Sequence, residues 1–408
     1  MKKNEFQMPY MIGTENQEKW KNEYYFYPRG IGFFEPGVVA LDDPAMSTYN
    51  IAKSSYQIRP DVFNMEYLSK STGMGKKEII KRMHRMYDER LIMYVSNGAV
   101  QVSGFGLYYI FVKLKKGTST EVKTKLSQWF QNVDDICTGS ETTGDFDFYI
   151  GSHMRTLDNL IATVIDPWKN NPQVEQVRIC PIRRDIRECH VNLWDAPADR
   201  YRELYWGEGQ IEKLAEIQDK MDANDLAILK ALNTKRPVED IYDFKVLSEV
   251  SGLDAKKMAE SFKEIVEVRR INVPLFALNY SKLNLTNHMF AIRLFQTTPS
   301  FRKSQITDEL STIGEFNHVH EFSDAYYDIL VYAYNEISDI DALRSRINSY
   351  SEVEDIDEGD ITRRYRRWTC RLDDQNDFWE ECVFTDDLLQ DRTLNKNPHV
   401  ILDEKEGK

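Results

Sequence analysis

A chain of 408 residues, 41% of them hydrophobic, is long enough for roughly two to four domains that each bury a core. Its net charge of −13 argues against attraction of nucleic acid by the whole surface, so any such contact has to be local. No apolar run approaches the ~20 residues that span a bilayer. The start, MKKNEFQMPYMIG, lacks the apolar stretch of a signal peptide, and the five cysteines form no CxxC pair, which together predict reduced thiols and a cytoplasmic protein.

Residues 1–42 read as an aromatic arm. Its stretch NEYYFYPRGIGFFEPGVV (Asn22 to Val39) is expected to pack on the fold or on a partner, with a stacking platform for bases as the alternative. The chain then says nearly the same thing twice. STYNIAKSSYQIRP (Ser47 to Pro60) is echoed by NDLAILKALNTKRP (Asn224 to Pro237), and LSKSTGMGKKEIIKRM (Leu68 to Met83) by LSEVSGLDAKKMAESF (Leu247 to Phe262). Gly73 and Gly252 anchor the match 179 residues apart, far too long a period for a solenoid, so the chain is a duplicated domain.

Each copy opens with a helical apolar stripe; in the second, Asp222 and Asp225 precede Leu226, Ile228, Leu229 and Leu232. A short helix ends at STG or VSG, and an amphipathic helix follows over about 76–89 or 255–268, giving helix, tight glycine turn and helix. The period then changes. GLYYIFVKLK (Gly106 to Lys115) and HMFAIRLFQ (His288 to Gln296) read as strands, followed by helices over about 118–130 and 300–313. Two close strands come next, then a helix over about 156–168 or 340–350, then a last strand from VEQVRIC or VEDIDEG. The order β-α-β-β-α-β predicts a ferredoxin-like split arrangement. The fold class is therefore α+β, two winged helix-turn-helix units each followed by a ferredoxin-like effector domain. Predicted boundaries are 43–103 and 104–195 for the first copy, a linker over 196–220, 221–280 and 281–374 for the second, and an acidic tail over 375–408.

This order resembles the Lrp/AsnC transcriptional regulators, over about Asp43 to Asp195 and again over about Met221 to Asp374. MDANDLAILKAL is similar to the family's opening helix, LSKSTGMGKKEIIKRMHRMYDERLI to its helix-turn-helix, and TGDFDFYI to its glycine–x–aromatic–aspartate signature. Single-copy members dimerise through their sheet domains, so the resemblance implies a dimer fused into one polypeptide.

The resemblance implies double-stranded DNA and a small-molecule effector, often an amino acid, as partners. On the first amphipathic helix Lys76, Lys77, Lys81, Arg82 and Arg85 are candidates for phosphates and base edges; Lys76, Lys77, Lys81, Arg82, Arg85 and Arg90 stand against three acids over 75–95. The second copy offers Lys256 and Lys257 but has Ser261 where the first has Arg82. The plainer alternative is that these cations solvate their helices. In the family the effector binds near the glycine–x–aromatic–aspartate loop. That implies Gly144, Asp145, Phe146 and Asp147, where an aspartate can hold an ammonium group, and Asp328 from the diverged loop Ala325, Tyr326, Tyr327, Asp328.

Two further clusters stand out. HVH places His318 and His320 on one face of a strand, where the first copy has Cys137 and Gly139, and no third metal ligand follows by spacing. RRYRRWTCR (Arg363 to Arg371) alternates Arg363, Tyr365 and Arg367 against Arg364, Arg366 and Trp368; these arginines are expected to pair with the tail, which from Asp373 carries eleven acids against four bases. No Gly-rich phosphate loop and no CxxC or HExxH signature is present, so no cofactor and no metal are expected. The leading expectation is a DNA-binding regulator with no membrane partner, and an exposed sheet surface would permit homo-oligomers. Two alternatives are a protein-interaction module that has lost DNA binding, and an enzyme. The siroheme decarboxylases resemble this family and pair the same units; in such an enzyme arginines would grip substrate carboxylates and His318 or His320 would supply protons.

Overall fold

The computed structural model describes residues 75–78, 80–81, 92–98, 106–132, 136–154, 157–188, 224, 228, 244–264, 272–278, 286–313, 315–323, 325–335, 337–367, 370–372 and 379–382. The aromatic arm, the linker, Arg82 and Arg85 lie outside the described residues, as does most of the tail.

The first copy runs β1 (Ile92–Gly98), β2 (Gly106–Leu114), α1 (Thr120–Asn132), β3 (Ile136–Gly144) and β4 (Phe148–Met154). A helical stretch follows as α2 (Leu157–Leu160), a π-helical turn over Ile161–Ile165, and α3 (Asp166–Lys169), then β5 (Val174–Glu188). The second copy runs α4 (Phe244–Ser251), α5 (Ala255–Lys263), β6 (Asn272–Leu278), β7 (Thr286–Leu294), α6 (Ser300–Leu310), β8 (Phe316–Phe322), β9 (Ile329–Asn335), α7 (Ile337–Ile347) and β10 (Val353–Arg367). Two short strands close it, β11 (Cys370–Leu372) and β12 (Trp379–Cys382), so the segment read as a tail contributes a strand.

The two β-α-β-β-α-β units are not two separate sheets. All pairings are antiparallel, in the cyclic order β10-β3-β4-β2-β5-β8-β9-β7 and back to β10, which closes an eight-stranded barrel. β5 and β10 make the closure. The first part of β5 pairs with β2 of its own copy, and from Ile182 onward it pairs with β8 of the other. β10 does the same, with β7 up to Asp360 and with β3 from Gly359. Away from the barrel, β1 and β6 pair with each other from Ile92↔Leu278 to Gly98↔Asn272, a second link between the copies that sequence reading did not reveal.

Strand alternation explains the cores. On β2, Ile110, Val112 and Leu114 face the helices of their own copy, with Trp129, Phe130 and Trp168. Phe290, Ile292 and Leu294 on β7 do the same with Ile306, Leu310 and Leu343. The alternate residues Leu107, Tyr109 and Phe111 meet Met289 and Ala291 in a shared core inside the barrel. Along β2 and β7, therefore, one face lies under helices and the other is interior, which differs from the exposed sheet surface expected for further assembly. Register shifts at Ile361/Arg363 and Arg364/Arg366 also break the strict alternation predicted for RRYRR. Bulges insert an extra residue and change which face the next side chain takes. Tyr365 is buried in the helix-facing core and donates to Glu141 Oε1 at 2.6 Å, while Arg363 lies over its ring at 4.5 Å.

The second copy keeps its paired helices: α4 and α5 are joined through Gly252 at φ +72°, and Asp254 caps α5 by accepting from the Lys257 amide at 2.9 Å.

Candidate functional site: the barrel interior

The barrel has two ends of different character. At one end lie the β3–β4 and β8–β9 hairpins, which carry the residues expected to bind an effector. Gly144 has φ +119°, and a side chain there would meet the Glu358 carbonyl oxygen at 2.3 Å. The Asp145 amide donates to that oxygen and Asp145 Oδ2 accepts from the Glu358 amide, both at 2.8 Å, so this hairpin docks on β10 of the other copy. Phe146 is buried and packs edge-on against Phe111. Asp147 is held inside its own copy: Oδ2 accepts from the Leu114 amide at 2.8 Å and Oδ1 from Lys123 Nζ at 3.3 Å. Asp328 repeats this with the Leu294 amide and Lys303. Each aspartate does meet an ammonium group, but one that the chain supplies. Gly144→Ala is expected to cost about 1–3 kcal/mol, since it adds a clash to a positive φ; a lowered urea midpoint at unchanged slope would report it.

The second hairpin docks on β5. The Ser323 amide donates to the Pro181 carbonyl at 2.9 Å, and the buried Tyr327 hydroxyl donates to Asp357 Oδ2 at 2.5 Å. Arg178 of the first copy bonds both groups and lies over the Tyr326 ring at 3.8 Å. Burial and the adjacent Asp357 carboxylate push the Tyr327 phenol well above its usual range, so it remains a donor. Phe146, Tyr327 and Phe111 thus plug this end.

Charge also ties β7 to β10 on the helix side. His288 lies between Asp360 (Nδ1 at 2.7 Å) and Glu358 (Nε2 at 2.8 Å), and Arg344 of α7 bonds Glu358 as well. Burial opposes protonation of His288, but the hydrogen bonds it donates to Asp360 and Glu358 more than offset it and raise its pKa above 6.5. Burial likewise opposes ionisation of Glu358, yet Arg344 and His288 bring its pKa down to about 2. Stability from His288 is accordingly complete below about pH 6.5 and lost as pH rises through the elevated folded pKa. His288→Gln should flatten that alkaline decline in thermal stability measured from pH 6 to 9.

The other half of the interior is polar. His318 and His320 both point inward from β8, with ring centroids 5.9 Å apart, as their alternation predicts. Around them stand Tyr332 of β9, 4.8 Å from His318 and 5.9 Å from His320, and Tyr109 of β2, 5.1 Å from His320. Tyr149 of β4 joins at 5.0 Å from Tyr109 and 5.7 Å from Tyr332. His318 is 7% exposed and His320 is fully buried. Burial, reinforced by Tyr109 and Tyr332, pushes the Tyr149 phenol well up, so it too stays protonated.

Pairing register corrects the expected counterparts of the histidines. His318↔Tyr332 and His320↔Leu330 correspond to Thr138↔Gly151 and Ser140↔Tyr149, with a bulge in the same place, so Thr138 and Ser140 replace Cys137 and Gly139. By the same register Tyr332, Tyr109 and Tyr149 correspond to Gly151, Met289 and Leu330. Two histidines and three tyrosines on one side of the pseudo-twofold axis thus face small or apolar side chains on the other. Among the described residues there is one such centre, built from both copies. No group of three or more potential metal ligands is found among the described residues.

The cations expected to read DNA lie elsewhere. Lys76, Lys77 and Lys81 are exposed on helical residues, and Lys256 and Lys257 are exposed on α5.

Neither a protein-family profile nor a curated protein matches the sequence. Among solved structures, the siroheme decarboxylase NirDL matches with a TM-score of 0.50 at 12% identity, over 85% of this chain and 96% of that one. Its co-complex with an iron-uroporphyrin III analogue matches with the same score at 11% identity, over the same shares. Escherichia coli AsnC matches over 36% of this chain and 94% of its own, at 15% identity and a TM-score of 0.29. Along most of its length the chain therefore shares the fold of NirDL, while similarity to the Lrp/AsnC regulators is partial.

Proposed function

We propose that the protein is a decarboxylase acting on a carboxylated tetrapyrrole, with the barrel interior as its reaction site. The observation that carries this reading is the His318–His320–Tyr109–Tyr149–Tyr332 cluster, which the other half of the barrel replaces with Thr138, Ser140, Met289, Leu330 and Gly151. A barrel needs no buried imidazole pair for stability, and its own related half is built without one. The resemblance in fold to NirDL, which extends over most of both chains, supports the same substrate class and favours the enzyme alternative over the regulator.

The chemistry asks little of the protein. As the carbon–carbon bond to the carboxyl group breaks, CO2 leaves and the electron pair stays on the substrate carbon, which then takes a proton. An imidazole within hydrogen-bond reach of that carbon delivers it, and protonated phenols such as Tyr149 hold the site neutral and orient the rings. Incubation of the purified chain with siroheme or iron uroporphyrin III under anaerobic conditions, with CO2 release and product mass followed, tests the proposal. Absence of both would overturn it.

A second reading keeps a specific observation of its own. In an Lrp/AsnC-like regulator with paired helix-turn-helix units, the exposed Lys256 and Lys257 on α5, with Lys76, Lys77 and Lys81, would meet DNA phosphates, and an effector would bind at the hairpins. Selective, salt-dependent retention of genomic fragments, lost in Lys76→Ala/Lys77→Ala/Lys81→Ala, would favour it.

A further inference from the structure

Asn287 opens the inward face of β7, one interior position before Met289. Met289 pairs with Tyr332, and Tyr332 pairs with His318, so Asn287 lies diagonally beside Tyr332, at the barrel end opposite the hairpins. It is 7% exposed, yet neither its amide oxygen nor its amide nitrogen has a hydrogen-bond partner among the described residues. Buried side-chain amides are rarely left so, because their desolvation is uncompensated. The fold does not require one here. The register-related position of the first copy is Leu107, buried in the same interior core. The buried hydroxyl of Ser140, facing Tyr149 across the β3–β4 pair, is also without a partner.

We infer that Asn287 is a substrate-binding residue of this site and that it takes the reacting arm of the substrate as an un-ionised carboxylic acid. The inference rests on the decarboxylase reading above. An amide presents an N–H and a carbonyl oxygen side by side. A carboxylic acid is their complement, since its carbonyl oxygen accepts from the Asn287 nitrogen while its O–H donates to the Asn287 oxygen. A carboxylate would leave that oxygen unmatched. The Tyr332 phenol lies beside Asn287, and burial favours the protonated acid over the carboxylate. An eight-stranded barrel leaves room for little more than one small group. An acetate-like arm therefore enters while the macrocycle stays outside.

The arm then brings its own proton. The acid O–H passes its proton to an imidazole of His318 or His320, the carbon–carbon bond breaks with release of CO2, and the imidazolium returns the proton to the carbon that keeps the electron pair. The sum is an acid R–CH2–CO2H converted to R–CH3 and CO2, with no oxidant and no proton drawn from water.

Asn287→Leu in the full chain tests this, with binding of iron uroporphyrin III followed by its absorbance, turnover by CO2 release, and thermal unfolding without ligand. The expected result is an unfolding temperature equal to or above that of the native protein, with Kd and KM raised at least tenfold and kcat changed less. Unchanged Kd and KM alongside normal native turnover would overturn the role of Asn287 and leave the decarboxylase reading intact. An unfolding temperature lowered by several degrees would show the amide bonded within the fold, through ordered water, and would also overturn it. If the native chain neither binds iron uroporphyrin III nor releases CO2, the reading falls and takes the inference with it.

Discussion

His320→Gln is expected to lower the rate of CO2 release from a carboxylated tetrapyrrole by about 10²–10⁴-fold, the range typical of losing a positioned proton donor. Glutamine keeps a polar side chain of similar reach in a fully buried position, so the unfolding temperature should stay close to that of the native protein. His318→Gln should act on the same step, because its ring shares the cluster with Tyr332. Two residues acting on one proton should be far from additive, and the double variant should fall little below the worse single one. Rates within a factor of two of native in both single variants would sink the proposed chemistry. Under the regulator reading the same substitutions would leave retention of DNA unchanged, so one set of proteins separates the two functions.

Breaking the ion pair between Arg184 and Glu321 is expected to have the largest effect on stability. Arg184 of β5 donates to Glu321 Oε2 of β8 through Nη2 at 2.6 Å and Nε at 3.0 Å, and Nη1 also reaches Asp308 at 3.2 Å. Arg183 adds a bond to Glu321 Oε1 at 2.9 Å. The Glu321 side chain is fully buried and that of Arg184 is 7% exposed. Removing Arg184 leaves the buried Glu321 with only the partly exposed Arg183 as a cation, so Arg184→Met should cost about 3 kcal/mol, the low end for breaking a buried pair, read from urea unfolding. Arg184→Met combined with Glu321→Leu should recover part of that loss, because the two apolar groups need no partner and the partly exposed Arg183 and Asp308 can turn to water. The single variant should loosen the β5–β8 seam first, and amides of Ile182 to Glu188 should then exchange faster than those of β2.

Much of this architecture was legible in the residues. The 179-residue echo, the change of period after each amphipathic helix and the order of strands all rest on local pattern, which local physics dictates. HVH announced its shared face because alternation alone decides it. What escaped was non-local. VEQVRICPIRRDIRE reads as one long strand, and nothing in it says that its second half leaves β2 for partners 130 to 140 residues away. The bulges in β10 are equally silent: Arg363 and Tyr365 share a face as alternation predicts, but nothing in RRYRR marks the shift between Arg364 and Arg366. Nothing local marks Tyr109, Tyr149 and Tyr332, since only barrel closure brings them to the histidines. Asn287 is silent for the same reason: an asparagine at the start of a strand carries no signal until its surroundings are known to be interior.

The exchange of β5 and β10 between the copies bears on how the protein is made. A ribosome releases the first copy well before β8 and β10 exist. Until then the far half of β5 and the whole outer edge of β3 lack their neighbours, and Leu107, Tyr109 and Phe111 have nothing opposite them. Such an intermediate displays unpaired backbone and an apolar face together, the combination most prone to stick to its own kind. Closure waits on contacts separated by more than 200 residues, so maturation should be slow and sensitive to the concentration of nascent chains. Truncation after the first copy should yield a product that aggregates or demands a chaperone, and co-expression of the second copy as a separate chain should rescue it by completing the missing strands.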